Sequence, residues 1–398
     1  MIIDPSVTNT QTAPKDQANQ AATETPHAAP MAPATKAPIR AGVMGATGYA
    51  GAEICRILAS HPYFQLTVAT SDSEAGTHLV DHYPNLRGAF DQVILVPHDH
   101  PSLLDCQVVF MAVPHKAGML HAPKLAAAGV SVVDLSADFR FNQASTYEDV
   151  YHVSHACPDL NNQAVYGQPE THKAQLKALA HKRSTGQSVV VGCAGCYVTA
   201  CILAAAPALA AGMVNPDATI IADAISGVTG AGRKATATTH YCNADESVSP
   251  YGLPLHRHAP EIAEKYALLN PGCHESAAHL VFTPHLAPLK RGICATVYLP
   301  LDPSCQDASA ESLHTLYVEA YQDDPLVTVL PEGVWPKTSS VAGTARAHVN
   351  ITVNPQEGLA IAVCCIDNLG HGAAAQAVQC ANILFDLAED AGLGALAC

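Results

Sequence analysis

The sequence predicts an α/β protein in two parts, a parallel sheet built from βαβ units followed by an α+β domain. Three observations carry that reading. An apolar run at 39–44 leads through a glycine-rich turn into residues of helical period at 52–60, the order strand, turn, helix. Further apolar runs at 64–69, 108–112, 130–135 and 189–191 alternate with helical stretches such as 117–128, as parallel strands with crossover helices do. The runs at 280–283 and 293–299 follow one another with little helix between them, which predicts adjacent strands of a second, α+β domain.

Along the chain, residues 1–37 are rich in Ala, Pro, Thr, Gln and Asn, a composition that buries too little apolar surface to order itself, so disorder is expected. The segment carries Asp4, Asp16 and Glu24, whereas organelle-targeting peptides are Arg-rich and acid-poor. At the other end, Ala377, Val378, Ala381, Leu384 and Phe385 predict a long amphipathic helix over 372–388.

Bulk composition narrows the function. With 398 residues there is room for two domains. No stretch reaches the roughly 18 apolar residues of a membrane span. A net charge of −15, from 20 Lys+Arg against 35 Asp+Glu, argues against a nucleic-acid partner, since phosphate backbones need a basic surface. The 14 cysteines show no secreted framework and no signal segment opens the chain, so reduced thiols in a cytoplasm are expected. The 21 histidines fall in no metal-ligating spacing, and no metal is expected.

The turn Gly45-Ala46-Thr47-Gly48-Tyr49-Ala50-Gly51 opens the first helix. Gly45 and Gly48 would let backbone N–H groups approach a pyrophosphate at the helix N-terminus, and Gly51 would allow close packing on the strand. An NAD-preferring site would place an acid at the end of the second strand. Here that end reads Ala69-Thr70-Ser71-Asp72-Ser73, and its hydroxyls favour the 2′-phosphate of NADP.

The run 189–200 predicts a strand, a small-residue turn and an Ala-rich helix to Ala211, which sets Cys196 at a helix N-terminus. Positive charge there lowers a thiol pKa toward the nucleophilic thiolate. Cys193 and Cys196 also read as a C-x-x-C redox pair or half a zinc site, and a buried inert cysteine stays open as well. The flexible turn 226–233 and the run His256-Arg257-His258-Ala259-Pro260-Glu261-Ile262 add groups suited to ligand approach and proton transfer.

These residues, with Val113-Pro114-His115, 134–140, 165–170 and Asp367-Asn368-Leu369, resemble the N-acetyl-gamma-glutamyl-phosphate reductase family from about residue 38 onward. The resemblance implies a semialdehyde dehydrogenase-like fold. Its Rossmann-type NADP domain would be 38–194 with a returning 367–398, and its catalytic and oligomerisation domain 195–366. It implies NADPH-dependent reduction of the acyl phosphate to N-acetylglutamate 5-semialdehyde in arginine biosynthesis, by a cytoplasmic homodimer or homotetramer. Cys196 would be the nucleophile and His256 the acid/base. Arg140, Arg291, His258, Arg233 and Glu261 would hold substrate; Gly45, Thr47, Gly48, Tyr49, Gly51, Ser71, Ser73, Pro114, Ser226, Gly227 and Asn368 would hold NADP. Carrier-linked aminoadipyl-phosphate or aspartyl-phosphate reduction, or an NADP-binding redox sensor, are the alternatives.

The chain departs from the family pattern in having Cys193-Ala194 before Gly195-Cys196, Val198 after Cys-Tyr, and His371 where Lys is common. The first departure suggests a peroxide-driven Cys193–Cys196 disulfide.

Overall fold

The structure, a computed structural model, describes residues 37–305 and 307–396; the expected disorder of the N-terminal segment falls almost wholly outside them. Six strands form the first sheet: β1 (Ile39–Met44), β2 (Phe64–Thr70), β3 (Val108–Met111), β4 (Ser131–Asp134), β5 (Val165–Gly167) and β6 (Val190–Cys193). They pair in the order β2-β1-β3-β4-β6-β5, every neighbour parallel. β3 and β4 are buried at every position, as strands covered on both faces must be. The order reverses between β1 and β3, and the crevice beyond the strand ends at such a reversal is where ligands bind in open α/β sheets.

The second sheet holds β7 (Ile220–Gly227), β8 (Ser249–Pro250), β9 (Leu280–Ala287), β10 (Ile293–Pro300), β11 (Val327–Val329), β12 (Ala347–Asn354) and β13 (Leu359–Ile366), in the order β11-β12-β13-β10-β7-β9-β8. β9 and β10 are not partners, contrary to the sequence reading. β7 runs between them, parallel to β9 and antiparallel to β10. A short connection between two strands fixes their separation in sequence, not their pairing.

The helix Cys196–Ala210 starts directly after β6 and packs on the second sheet, with residues 197–209 all buried. Alanines at 222, 224 and 295 leave it room. Pro207 has no N–H, so the Leu203 carbonyl one turn earlier loses its helical donor, and the Tyr321 hydroxyl supplies one at 2.7 Å. Tyr266 and Tyr317 hydroxyls bond the Cys201 and Ala204 carbonyls. The N-terminus of this helix is thereby fixed where the two sheets meet.

The C-terminal segment differs from expectation. Gly370–Ala374 forms a π-turn, and the α-helix proper is Ala375–Leu384, buried at all ten positions. It packs under the first sheet's core rather than floating as an amphipathic cover. Among the described residues no helix is long and apolar enough to cross a membrane.

Candidate active site

The glycine-rich turn is built as a cradle. Gly45 has φ +80°, and a Cβ there would lie 2.4 Å from the Ala112 carbonyl, so only glycine fits. A Cβ at Gly51 would lie 2.2 Å from the Gly45 carbonyl, which makes Gly51 a packing residue beneath the turn. Gly48 caps the helix Tyr49–Leu58 without a side-chain hydrogen bond, so the first-turn N–H groups are left for a ligand. Gly45, Thr47, Gly48 and Tyr49 line a cleft of about 570 Å³ that runs past Pro114 to Cys196. The residues fit a dinucleotide on these grounds.

At one end of the cleft the Thr47 hydroxyl meets that of Ser71 at 2.9 Å, and Ser71 meets Ser73 at 3.5 Å. Asp72, the acid in this stretch, is turned aside: its carboxylate accepts the His98 N–H at 2.8 Å. Arg233 donates to the Thr47 carbonyl at 2.9 Å and lies over the Tyr83 ring. The sequence reading gave Arg233 to the substrate; its guanidinium is instead tied to the dinucleotide turn.

Cys196 lies at the inner end, partly exposed, as the first residue of its helix. It lines the cleft and also a side chamber of about 350 Å³, which Tyr197, Ser226, Tyr251, His256 and Leu286 help to wall. Gly230, Arg257 and His258 border both spaces. The thiol's pKa is raised by burial, against the opposing Tyr197 N–H and the Arg140 and Arg257 charges. The simple helix-terminus expectation of a lowered value is therefore corrected: desolvation of a thiolate outweighs the nearby positive charge before a ligand is bound.

The two histidines stack edge to face, ring centroids 4.9 Å apart. His256 Nδ1 accepts the His258 backbone N–H at 3.1 Å, which leaves the proton of a neutral His256 on Nε2. Burial and Arg257 push the His256 pKa down to about 4. Burial, then His256, Arg140, Arg257 and His115, hold His258 well below its ordinary range. Both rings are neutral near pH 7. The His258 Nδ1 is buried without a partner.

Arg140 and Glu261 share a buried pair beneath the thiol turn. Arg140 donates to the Leu135 carbonyl at 2.7 Å and to Glu261 at 3.5 Å, while its unpartnered Nε and its place on the cleft wall leave it capacity toward a ligand. Glu261 is fully buried and accepts from Tyr166 Oη at 2.8 Å and from the Gly195 N–H at 3.3 Å. It borders neither cavity.

Asn368 lines the cleft, its side chain fixed by the Gly292 N–H at 2.8 Å and the Thr229 hydroxyl at 2.9 Å.

Three further expected residues are placed elsewhere. Arg291 bonds Glu53 at 2.6 Å and Asp367 at 3.3 Å and lies outside the cleft walls. Gly227 packs against the backbone at 289–291, where a Cβ would come within 2.8–2.9 Å of it. Ser226 faces the side chamber and bonds the Gly227 carbonyl rather than lining the dinucleotide cleft.

The sequence reading gave no role to Arg257, which the structure shows as an exposed cation on both cavities. Its place between His256 and His258 was the available signal.

Family comparisons agree with the two-sheet architecture. The family model described as "Semialdehyde dehydrogenase, NAD binding domain" matches residues 40–179, and "Semialdehyde dehydrogenase, dimerisation domain" matches 196–368. N-acetyl-gamma-glutamyl-phosphate reductase of Neisseria meningitidis is 41% identical over 359 residues, covering 90% of this chain and 98% of that one. The Moorella thermoacetica protein of the same name is 40% identical over 358 residues, at 89% and 98% coverage. Among solved structures, aspartate semialdehyde dehydrogenase II of Vibrio cholerae superposes with a TM-score of 0.66 at 16% identity, over 88% of this chain and 99% of that one. The Candida albicans aspartate semialdehyde dehydrogenase with NADP gives 0.65 at 16% identity, over 87% and 98%.

Proposed function

The chain belongs to the N-acetyl-gamma-glutamyl-phosphate reductase family, and from that premise we propose that it reduces N-acetyl-gamma-glutamyl phosphate to N-acetylglutamate 5-semialdehyde and phosphate. The observation that carries the reading is the position of Cys196 on the shared wall of a dinucleotide cleft and a small side chamber.

In this mechanism the Cys196 thiolate attacks the acyl carbon, the carbon–oxygen bond to phosphate breaks, and phosphate leaves with the bonding pair. A thioester remains. Arg140 and Arg257 offset the charge of substrate and leaving group, and among the described residues none pairs with Arg257, which stands exposed on the cleft. NADPH held by the Gly45–Tyr49 turn beside Asn368 would supply a hydride to the thioester carbon. N–H groups at the start of the Cys196 helix hold the oxyanion; His256 gives it a proton to form the thiohemiacetal and takes that proton back as the carbon–sulfur bond breaks and the thiolate returns.

NADPH is favoured over NADH because the Thr47, Ser71 and Ser73 hydroxyls and Arg233 gather at the turn, while Asp72 is engaged by His98. Ile221, Ile225 and Val281 stand exposed on the open face of the second sheet, and we assign that face to a homodimer contact. The proposal extends to a cytoplasmic setting, in which the thirteen described free cysteines would stay reduced.

The test is phosphate-dependent reduction of NADP⁺ with N-acetylglutamate 5-semialdehyde. Turnover by the wild type and none by Cys196→Ser is expected. Turnover by Cys196→Ser would refute the thioester route.

A further inference from the structure

The turn from Asp367 to Ala374 carries Asn368 into the cleft and sets Gly372 behind the thiol, where a Cβ would lie 2.8 Å from the Cys196 Cβ. Its first half is held by the Asp367 carboxylate, which accepts the Leu369 and Gly370 N–H groups at 2.8 and 2.9 Å. Its middle is a π-turn, a geometry that occurs mainly as single turns at functional sites. One side chain anchors that middle to the surrounding core. His371, fully buried, places Nδ1 2.6 Å from the Ala345 carbonyl and Nε2 3.3 Å from Glu170 Oε1.

Both partners can only accept: a carbonyl has no proton to give, and an ionised carboxylate has none. A neutral imidazole carries one N–H and would turn a lone pair toward one of them. Nε2 makes no hydrogen bond in this geometry, so its tie to Glu170 is a charge–charge contact, and only a ring protonated at both nitrogens meets both neighbours favourably. We propose that His371, held as an imidazolium between Glu170 and the Ala345 carbonyl, is a positioning residue that seats Asn368 and Gly372 against the Cys196 thiol.

The groups around the ring favour that charge. Glu170 comes from the helix Pro169–Ser184, where the Gln379 amide from the C-terminal helix also reaches it at 3.3 Å. Asp324 follows the helix Ala310–Tyr321 and is bonded by Lys173, which also meets Glu389 at 3.2 Å. The Cys380 thiol, beside that of Cys193, also lies near Glu170 and Glu389. Burial works against the imidazolium, but Glu170, the Ala345 carbonyl and Asp324 outweigh it and raise the His371 pKa; Glu170 is lowered despite burial, through His371 and Gln379.

For a histidine raised in the folded state, the stabilisation is complete below the ordinary histidine range and is lost as pH rises through the folded value. Thiol ionisation has the opposite sign, increasing the reactive form as pH rises. An alkaline loss of turnover thus reports the turn and not the nucleophile.

The proposal rests on the reductase reading for its kinetic arm only. His371→Lys keeps a cation toward Glu170, and His371→Gln removes it. We expect kcat of the wild type to fall on the alkaline side and that of His371→Lys to hold to higher pH. His371→Gln should lose at least roughly tenfold in kcat, the scale of a displaced reacting group, with KM little changed. Alkylation of Cys196 by iodoacetamide, followed on its own peptide, should change in His371→Gln and stay near wild type in His371→Lys. Glu170→Gln should behave as His371→Gln.

Independent of any variant, ¹³C-histidine spectra of the wild type should show a buried histidine that stays doubly protonated above the ordinary histidine range. Absence of that signal overturns the proposal, as does wild-type kcat and alkylation in folded His371→Gln. If the wild type lacks semialdehyde turnover, the reductase reading fails, and the alkylation and spectroscopic arms still decide the role of His371.

Discussion

Glu261 Oε1 accepts the Gly195 N–H at 3.3 Å, from a carboxylate that is fully buried and also paired with Arg140. The residue before the nucleophile is thus held by the helix that follows the two histidines. Removing the carboxylate would strand a buried guanidinium, the Tyr166 hydroxyl and the Gly195 N–H together. Glu261→Ala should cost about 3–5 kcal/mol, the usual result of breaking a buried ion pair from one side. Glu261→Gln should cost less, since it still accepts from Gly195 and Tyr166. Urea denaturation at fixed pH compares the two, and equal losses would show that the charge alone, and not the hydrogen bonds to Gly195 and Tyr166, carries the effect.

Gly372 gives a sharper probe of the thiol's seat. A Cβ there would lie 2.8 Å from the Cys196 Cβ and 3.2 Å from the Asp367 carbonyl, with rigid neighbours that cannot yield cheaply. Gly372→Ala is expected to lower kcat by roughly 10²-fold while the dissociation constant for NADPH, read by fluorescence titration, stays near wild type. A loss confined to NADPH affinity would place the glycine in cofactor binding instead.

Both probes depend on features that differ in how openly the sequence showed them. The Gly45–Gly51 cradle, the strand to Cys196 and the long buried helix were legible, because periodicity and glycine spacing are local properties. β7's insertion between β9 and β10 was not, since strand pairing depends on contacts far apart in the chain. Among the candidate anchors, Arg140 lines the cleft, whereas Arg291 is consumed by Glu53 and Asp367. Nothing local to Arg291 announces partners 238 and 76 residues away. Arg257 was visible but unassigned, because exposure beside two cavities is a property of the fold.

Arg233 sits with the Thr47–Ser71–Ser73 hydroxyls, so it should discriminate between the dinucleotides. A hydrogen bond to a charged group contributes about 1.5–3 kcal/mol, and Arg233→Ala should therefore raise KM for NADPH by roughly ten- to a hundredfold. KM for NADH should change far less. Steady-state kinetics with both cofactors settles the matter, and parallel losses would remove Arg233 from 2′-phosphate recognition.

Stability should fall in acid. Burial pushes His115 down to about 3, and His172 and His256 to about 4, from an ordinary 6.5, and His258 lies well below it. Between pH 6.5 and about 4 the unfolded chain therefore binds more protons than the folded one, so folding weakens as pH drops through that window. The melting temperature should decline across it, and less steeply in His172→Gln. A flat profile from pH 6.5 to 4.5 would contradict neutral burial of these rings.

Peroxide chemistry tests the remaining surprise of the sequence. The C-x-x-C spacing suggested a Cys193–Cys196 disulfide, but Cys193 belongs to the core of the first sheet and its thiol lies beside that of Cys380 on the C-terminal helix. Cys196 packs with the other core and is partly exposed. Exposure and thiolate character decide which sulfur oxidises, so peroxide should reach Cys196 first and form a sulfenic acid that a dimedone-type reagent traps. Cys193→Ser should then lose activity at the wild-type rate, and the Cys196 peptide should carry the label in both proteins. A Cys193→Ser variant that resists peroxide, or a Cys193–Cys196 crosslinked peptide in the wild type, would restore the disulfide and require the turn at 193–196 to open.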